Sequence, residues 1–463
     1  MPVSSIARRY LWIFGICAGV VFLAAIWFIY RPRATLVVLG EDSSNIQAME
    51  ELKDSYEKAN GVRIHFDKAT FDQAYKGAYQ DLSSGTGIND IILQYNFSLA
   101  SFARNDYVLW KADLVKLIPD ENQRTFEKDI FPNVWKEVGH YWMGAGPDLR
   151  EEAVGYPFAA NTMLLVYNKD LFNDPRHKQA YEAKYKEPLA PPKDWGQFRQ
   201  IADYFSPKEG STKGLCLQGK EGGWLYYEWC NFAFSMGGGV TKKKLGWQRD
   251  EHTPLIIDAP ETVKATEFYL SLKSFDGSKD FFSTEASDQV ERMKEGKIAM
   301  CIMWSDYVYG LVFGKKGTRP NESFGFEPIP GDKSMIAGGI YYVNKHSKHK
   351  VEAAKYIMHL MQKETQVKLM NKGLCSALRT AYDDKSVKDN LPYANALRQS
   401  LDEPRGISML EAGPDADKIQ EIITTHLQRL WKGEVKSAEV SLRSCRQDIE
   451  AARADIWKKI DKK

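Results

Sequence analysis

The chain has 463 residues, 27% of them charged, and a formal net charge of +2. That length exceeds what one hydrophobic core organises and predicts two lobes, and the near balance of charge excludes the basic footprint of a nucleic-acid binder as well as an acidic tail. The six cysteines, Cys17, Cys216, Cys230, Cys301, Cys375 and Cys445, avoid every C-x-x-C or zinc-like spacing, which excludes the common zinc cages and redox motifs.

In chain order the first element is residues 11–30, twenty uncharged residues that as a helix reach across about 30 Å of hydrocarbon. Arg8 and Arg9 precede the run, Arg31 and Arg33 follow it, and bulky residues 26–30 stand where a cleavable signal needs small ones. Residues 1–33 are therefore expected to be a retained transmembrane anchor. Phe14, Gly15 and Ile16 before Cys17 do not form the small-residue run of a lipidation signal.

Residues 35–39 read as a strand, followed by a loop over 40–45 and an amphipathic helix marked by Ile46, Met49, Leu52 and Tyr56. Val62, Ile64 and Phe66 alternate as a second strand, and 91–93 forms a third after a helical stretch through Tyr79 and Leu82. The result is a βαβαβ unit. Ligands of open parallel sheets bind beyond the carboxyl ends of the strands, which points to the loops 40–45 and 94–98.

Further along, Asp194 and Gln197 have capping-box spacing and open a helix with Trp195, Phe198, Ile201, Ala202 and Phe205 on one face. Cys216 and Cys230 are near enough in sequence for a small disulfide loop after export, but are read as reduced, buried thiols. Residues 298–303 are a buried strand. Val351, Ala354, Met358 and Met361 mark a helix after the lysine-rich run 345–350, whose His346 and His349 fit a solvated turn better than a metal site. Val440, Ile449, Ile456 and Ile460 are expected to pack a long C-terminal helix onto the body.

Three stretches carry a resemblance. Residues 155–172, GYPFAANTMLLVYNKDLF, look like a strand crossing between lobes and are followed by PPKDWGQFRQIADYF from Pro191. Residues 293–305, MKEGKIAMCIMWS, are a helix, a Gly-Lys turn and a buried strand ending in an aromatic. Residues 338–361, GGIYYVNKHSKHKVEAAKYIMHLM, have a double glycine, an Asn-Lys turn and an alanine-bearing helix. Together these resemble the family 1 extracellular solute-binding proteins, the group that includes maltose-binding protein; residues 373–383 and 403–405 are weaker echoes. Family members are usually cleaved or lipidated at the N-terminus, and this chain departs from that.

The resemblance implies an α/β, two-lobed periplasmic-binding-protein fold of type II with hinged lobes, here behind an N-terminal transmembrane helix. Lobe 1 would comprise 34–157 and 328–363, and lobe 2 would comprise 158–327 and 364–463. It also implies a monomer on the periplasmic or extracellular face of the cytoplasmic membrane that closes around a carbohydrate, passes it to ABC permease subunits, uses no cofactor and catalyses nothing. Closure of such a cleft needs dihedral changes at only a few crossing residues.

A sugar presents apolar C–H faces rimmed by hydroxyls, so its site needs aromatic platforms with carboxylates and amides around them. By resemblance Trp304, ending its buried strand, is the first platform, with an ordinary core tryptophan as the alternative. Residues 222–239, GGWLYYEWCNFAFSMGGG, look like the aromatic helix that floors the second lobe and offer Trp224, Tyr227 and Glu228. From the first lobe come Glu41, Asp42 and Asn45, with helix capping as the competing role of Asp42, then Tyr95, Asn96 and Phe97. Asn161 lies in the crossing segment. Tyr341 follows paired glycines including Gly339, which let backbone and ring approach the cleft; Arg379 is a weaker candidate, with a surface ion pair as its alternative.

Two other functions compete. A phosphorylated polyol such as a glycerol phosphodiester demands an arginine or a helix N-terminus at the cleft. A membrane-anchored glycoside hydrolase needs a pair of carboxyls set across a sugar, and the adjacent pairs Glu151-Glu152 and Asp383-Asp384 do not define such a separation.

Overall fold

The computed structural model describes residues 34–143, 150–208, 210–242, 253–314, 321–331, 333–402, 406–407, 413 and 415–460. The expected membrane span 11–30, Cys17 and the echo at 403–405 lie outside the described residues. Among the described residues no helix is long and apolar enough to cross a membrane.

The βαβαβ reading of the first hundred residues matches the structure. Strand β1 (Thr35–Glu41) runs parallel to β2 (Arg63–Ala69) and to β3 (Ile91–Tyr95). The helix Ser44–Asn60 between β1 and β2 stops at Gly61, whose φ of 64° closes a left-handed C-cap that a side chain resists. The next helix, Phe71–Ser84, opens with a capping box between Thr70 and Gln73. Every residue of β3 is buried, which is why its sequence is an unbroken IILQY rather than an alternation.

Four more strands build a second sheet and two complete the first. Strand β4 (Tyr156–Ala159) belongs to the first sheet, whereas β5 (Met163–Asn168), β6 (Lys213–Leu215), β7 (Ile298–Trp304) and β8 (Phe324–Pro328) form the second. Strand β9 (Gly339–Val343) returns to the first sheet between β3 and β4, antiparallel to both. The orders are β2-β1-β3-β9-β4 and β8-β5-β7-β6.

The chain thus passes between the sheets at residues 160–162 and again at 329–338. These two passages pair with each other: Thr162 bridges Ile336, and the Ala337 N–H donates to the Asn161 carbonyl at 2.9 Å. A third strand of chain joins them where the Ala160 N–H donates to the Cys375 carbonyl at 2.8 Å. Period-two alternation then splits the second sheet between two cores. Leu164 and Val166 face the core shared with the first sheet, and Met163 and Leu165 face Trp229 and Phe232 of the helix Trp224–Ser235.

Of the C-terminal part assigned wholly to the second lobe, the helix Lys363–Met370 packs on Ser44–Asn60 instead, while Ala394–Leu401 packs on β8 and β5. The helices Ala416–Lys432 and Ala438–Ile460 pair and lie on Trp224–Ser235 and Pro260–Ser271 respectively. The apolar stripe expected on the last helix is corrected in phase. Val440 is 58% exposed, and the buried side is Leu442, Cys445, Ile449 and Trp457, with Arg453 donating to Asp415 at 2.9 Å. Cys216, Cys230, Cys301, Cys375 and Cys445 are free thiols in buried positions. His349 turns its Nδ1 to Asp90 at 3.3 Å, away from any shared site with His346.

Candidate functional site

Glu41, Tyr95 and Trp304 are the last residues of β1, β3 and β7. All three line one cavity of about 50 Å³ between the sheets. The loop after β3 adds Asn96 and Phe97, the first passage between sheets adds Asn161, and the helix of the second lobe adds Trp224 and Tyr227. Parallel strands all deliver their carboxyl ends to one edge, so residues far apart in sequence converge there.

The second-lobe rings depend on a local backbone feature. Gly222 and Gly223 have φ of 84° and 111°, and a Cβ on Gly223 would lie 2.7 Å from the Tyr227 ring. Only glycine permits this left-handed turn into the helix. Trp224 then lies 6.4 Å from Phe71 of the first lobe and 6.2 Å from Tyr307, edge-on at 84°. Tyr227 meets Trp304 edge to face, with centroids 5.9 Å apart.

The polar floor is acidic. The Tyr95 hydroxyl donates to Glu41 Oε2 at 2.5 Å, and the Tyr307 hydroxyl lies 3.5 Å from Glu41 Oε1. The Asn161 amide donates to Asp306 Oδ2 at 3.0 Å, while Asp306 Oδ1 is buried and accepts from no other side chain among the described residues. Glu41 is 8% exposed and Asp306 6%. Burial holds the Glu41 carboxyl above its ordinary range; the hydrogen bonds from Tyr95 and Tyr307 oppose this, and the charges of Glu285 and Asp42 add to it. Burial first, then the Glu41 charge, push Asp306 up to about 7, against the pull of backbone N–H groups at 306 and 307 and of Asn161. Among the described residues no lysine, arginine or histidine lines the cavity.

A second, wider cavity of about 450 Å³ adjoins the first and shares Asp306 and Tyr307 with it. Asp42 lies here rather than in the aromatic cavity, 3.8 Å from Lys68.

Five other expected residues are placed away from the aromatic cavity. Asn45 sits behind it, wholly buried, donating to Asn161 at 3.4 Å and accepting from the Cys375 N–H. Glu228 is one residue past Tyr227, a rotation of about 100° at 3.6 residues per turn, and this carries it into the second-lobe core. Burial there raises its pKa well above normal, against the pull of the Gln218 backbone and side chain. Gly339 serves packing, since a Cβ would lie 2.1 Å from the Phe158 ring. Tyr341, on the same face of β9, packs on that ring at 5.5 Å and points its hydroxyl at Met49. Arg379 pairs with Asp402 at 3.2 Å on the surface.

Sequence reasoning passed over Phe71, Asp306 and Tyr307, all of which line the cavity. Each follows the carboxyl end of a strand, β2 or β7, so the strand-end rule applied to every strand rather than to β1 and β3 alone would have found them.

The profile of the family described as "Bacterial extracellular solute-binding protein" matches residues 51–394. A Brucella abortus (strain 2308) protein named "Putative binding protein" is 24% identical over 373 residues, 78% of this chain and 80% of that one. A solute-binding protein of an ABC transporter from Agrobacterium radiobacter K84, solved with ribitol, superposes with a TM-score of 0.74 at 18% identity, over 91% of this chain and 99% of that one. A maltose-bound T. maritima protein gives 0.70 at 16% identity, over 90% and 99%. The double-sheet fold, the paired passages between the sheets and a profile spanning most of the chain agree, and the chain belongs to the bacterial extracellular solute-binding proteins.

Proposed function

We propose that this chain captures a carbohydrate or polyol between its lobes and presents it to the permease of an ABC importer, without transforming it. One observation carries the reading: three rings, Trp224, Tyr227 and Trp304, meet the acceptors Glu41, Asp306 and Asn161 in a single cavity between the two sheets. Rings match the C–H faces of a sugar and carboxyl or amide groups match its hydroxyls. The ribitol and maltose held by proteins of the same fold support it. A phosphorylated polyol is disfavoured: helices begin at the cavity at Trp224 and Ser305, but the described lining sets the carboxyls of Glu41 and Asp306 there and no arginine or lysine for a phosphate.

The cavity of about 50 Å³ is small beside the roughly 300–1,000 Å³ of ligand pockets. Entry of a ligand therefore requires the lobes to part about residues 160–162 and 329–338, and a ligand touching both lobes favours the closed arrangement. In the cell the chain would act as a monomer outside the cytoplasmic membrane, held by residues 11–30.

The test is a panel of polyols, monosaccharides and maltodextrins at millimolar concentration, read by melting temperature and tryptophan fluorescence. A ligand bound at 100 times its Kd stabilises the folded chain by about 2.7 kcal/mol. A panel without a single response would sink the proposal, and release of product from chromogenic glycosides would replace it with a hydrolase.

A further inference from the structure

The aromatic cavity holds two buried carboxyls and, among its described lining, no lysine, arginine or histidine. The hydroxyl of Tyr95 is committed to Glu41 and the amide of Asn161 to Asp306. Asp306, only 6% exposed, accepts from Asn161 at Oδ2, and no other side chain donates to its Oδ1 among the described residues. Neither Glu41 nor Asp306 forms an ion pair among the described residues, although both line the same cavity. A buried carboxylate with no counterion costs several kcal/mol. Around the two acids stand Phe71, Trp224, Trp304 and Tyr307, whose ring faces carry negative quadrupoles that attract cations. A neutral hydroxyl satisfies one acceptor and brings no charge, whereas an ammonium group brings three donors and the missing positive charge together.

We infer that the group seated against Glu41 and Asp306 is a protonated amine, so that the preferred ligand is an amino sugar or aminated polyol rather than its neutral counterpart. The inference rests on the carbohydrate reading above and narrows it. A bound cation would draw each carboxyl, raised by burial, back towards the charged form.

The experiment is calorimetric titration of the full chain at pH 7.5 with matched sets: glucosamine, glucose and N-acetylglucosamine; glucamine and sorbitol; galactosamine and galactose. Putrescine and choline serve as cations without a sugar ring. The expected result is at least tenfold tighter binding of the amine than of its neutral and N-acetylated partners, collapsing to within about threefold in Asp306→Asn and Glu41→Gln. The wild-type comparison stands by itself if a variant fails to fold. Equal or tighter binding of the neutral member overturns the amine inference and leaves the carbohydrate reading intact. Response to putrescine or choline with none to any sugar upholds the cation and overturns the carbohydrate. Silence from every compound overturns both.

Discussion

The hydroxyl of Tyr95 hydrogen-bonds to Glu41 Oε2 at 2.5 Å, so the last residues of two adjacent parallel strands are joined at the floor of the cleft. Both side chains are buried. The bond fixes the direction of a carboxyl that the backbone alone leaves free to rotate. A binding site prepared in this way loses less side-chain entropy on association.

Removal of that hydroxyl in Tyr95→Phe leaves Glu41 Oε2 without its short donor. Urea unfolding should then show a loss of about 1–3 kcal/mol, the cost of a buried acceptor deprived of its partner. Glu41→Gln should lose less, because an amide oxygen still accepts from Tyr95. If the two single variants and the double variant are additive, the residues act independently and the preorganised floor is wrong.

The ring pair Phe71 and Trp224, with centroids 6.4 Å apart, joins the helix after β2 to the helix that floors the second lobe. Phe71 is only partly buried. Phe71→Ala should leave the unfolding midpoint nearly unchanged and weaken ligand binding by about 2- to 10-fold, as an aromatic pair worth about 0.5–1.5 kcal/mol is lost only from the closed form. Scattering should show the ligand-driven compaction diminished in the same variant. An unchanged Kd would mean that the pair plays no part in closure.

The βαβαβ succession of the first lobe and the helix start at Asp194 were readable because their causes are local: β-branched alternation, and an N-cap that accepts from the Gln197 N–H. Glu41, Tyr95, Asn161, Trp224, Tyr227 and Trp304 were legible from strand ends and resemblance, and all line the cavity. Glu228 and Tyr341 were not separable from them, since a helix rotation and a strand face decide their direction and neither phase is written in residue type. In the C-terminal stripe Ile449 is buried as expected but Val440 is not, for the same reason: Val440 and Leu442 are both apolar, and only the packing partner chooses Leu442. The junction at Cys375 is invisible to local reasoning, because it rests on hydrogen bonds to Ala160 and Asn45, both remote in sequence.

Trp304 is 7% exposed and its ring meets Tyr227 at 85°. Trp304→Ala should cost about 3–5 kcal/mol of stability, as large-to-small changes in a packed site do, and should abolish the ligand-induced thermal shift. Trp304→Phe keeps a ring and should retain a reduced shift with most of the stability. A variant with full ligand response and lower stability would mark Trp304 as a core residue and nothing more.

The buried carboxyls give the last prediction, in stability against pH. Asp306 sits at about 7 in the folded chain, against about 3.9 for an unperturbed aspartate. Between these values the folded state holds the proton more tightly than the unfolded one, so the contribution is fully present below about 4 and is lost as pH rises through 7. The groups facing this carboxyl are Glu41, Tyr95, Asn161, Tyr307 and Cys375, and more distantly Glu285 and Asp42 act on it through Glu41. None of these supplies a positive charge to reverse the sign. Unfolding free energy of the wild type should therefore fall relative to Asp306→Asn between about pH 4 and 7, by up to about 1.4 kcal/mol per pH unit while only the folded state holds the proton, and level off above that. Taking the difference between the two proteins cancels groups not coupled to Asp306, such as the buried Glu228 and the half-buried histidines His140 and His359, whose lowered pKa values act in the opposite direction. Parallel curves for the two proteins would show that Asp306 ionises as an ordinary aspartate, and would remove the unpaired acid from the floor of the cleft.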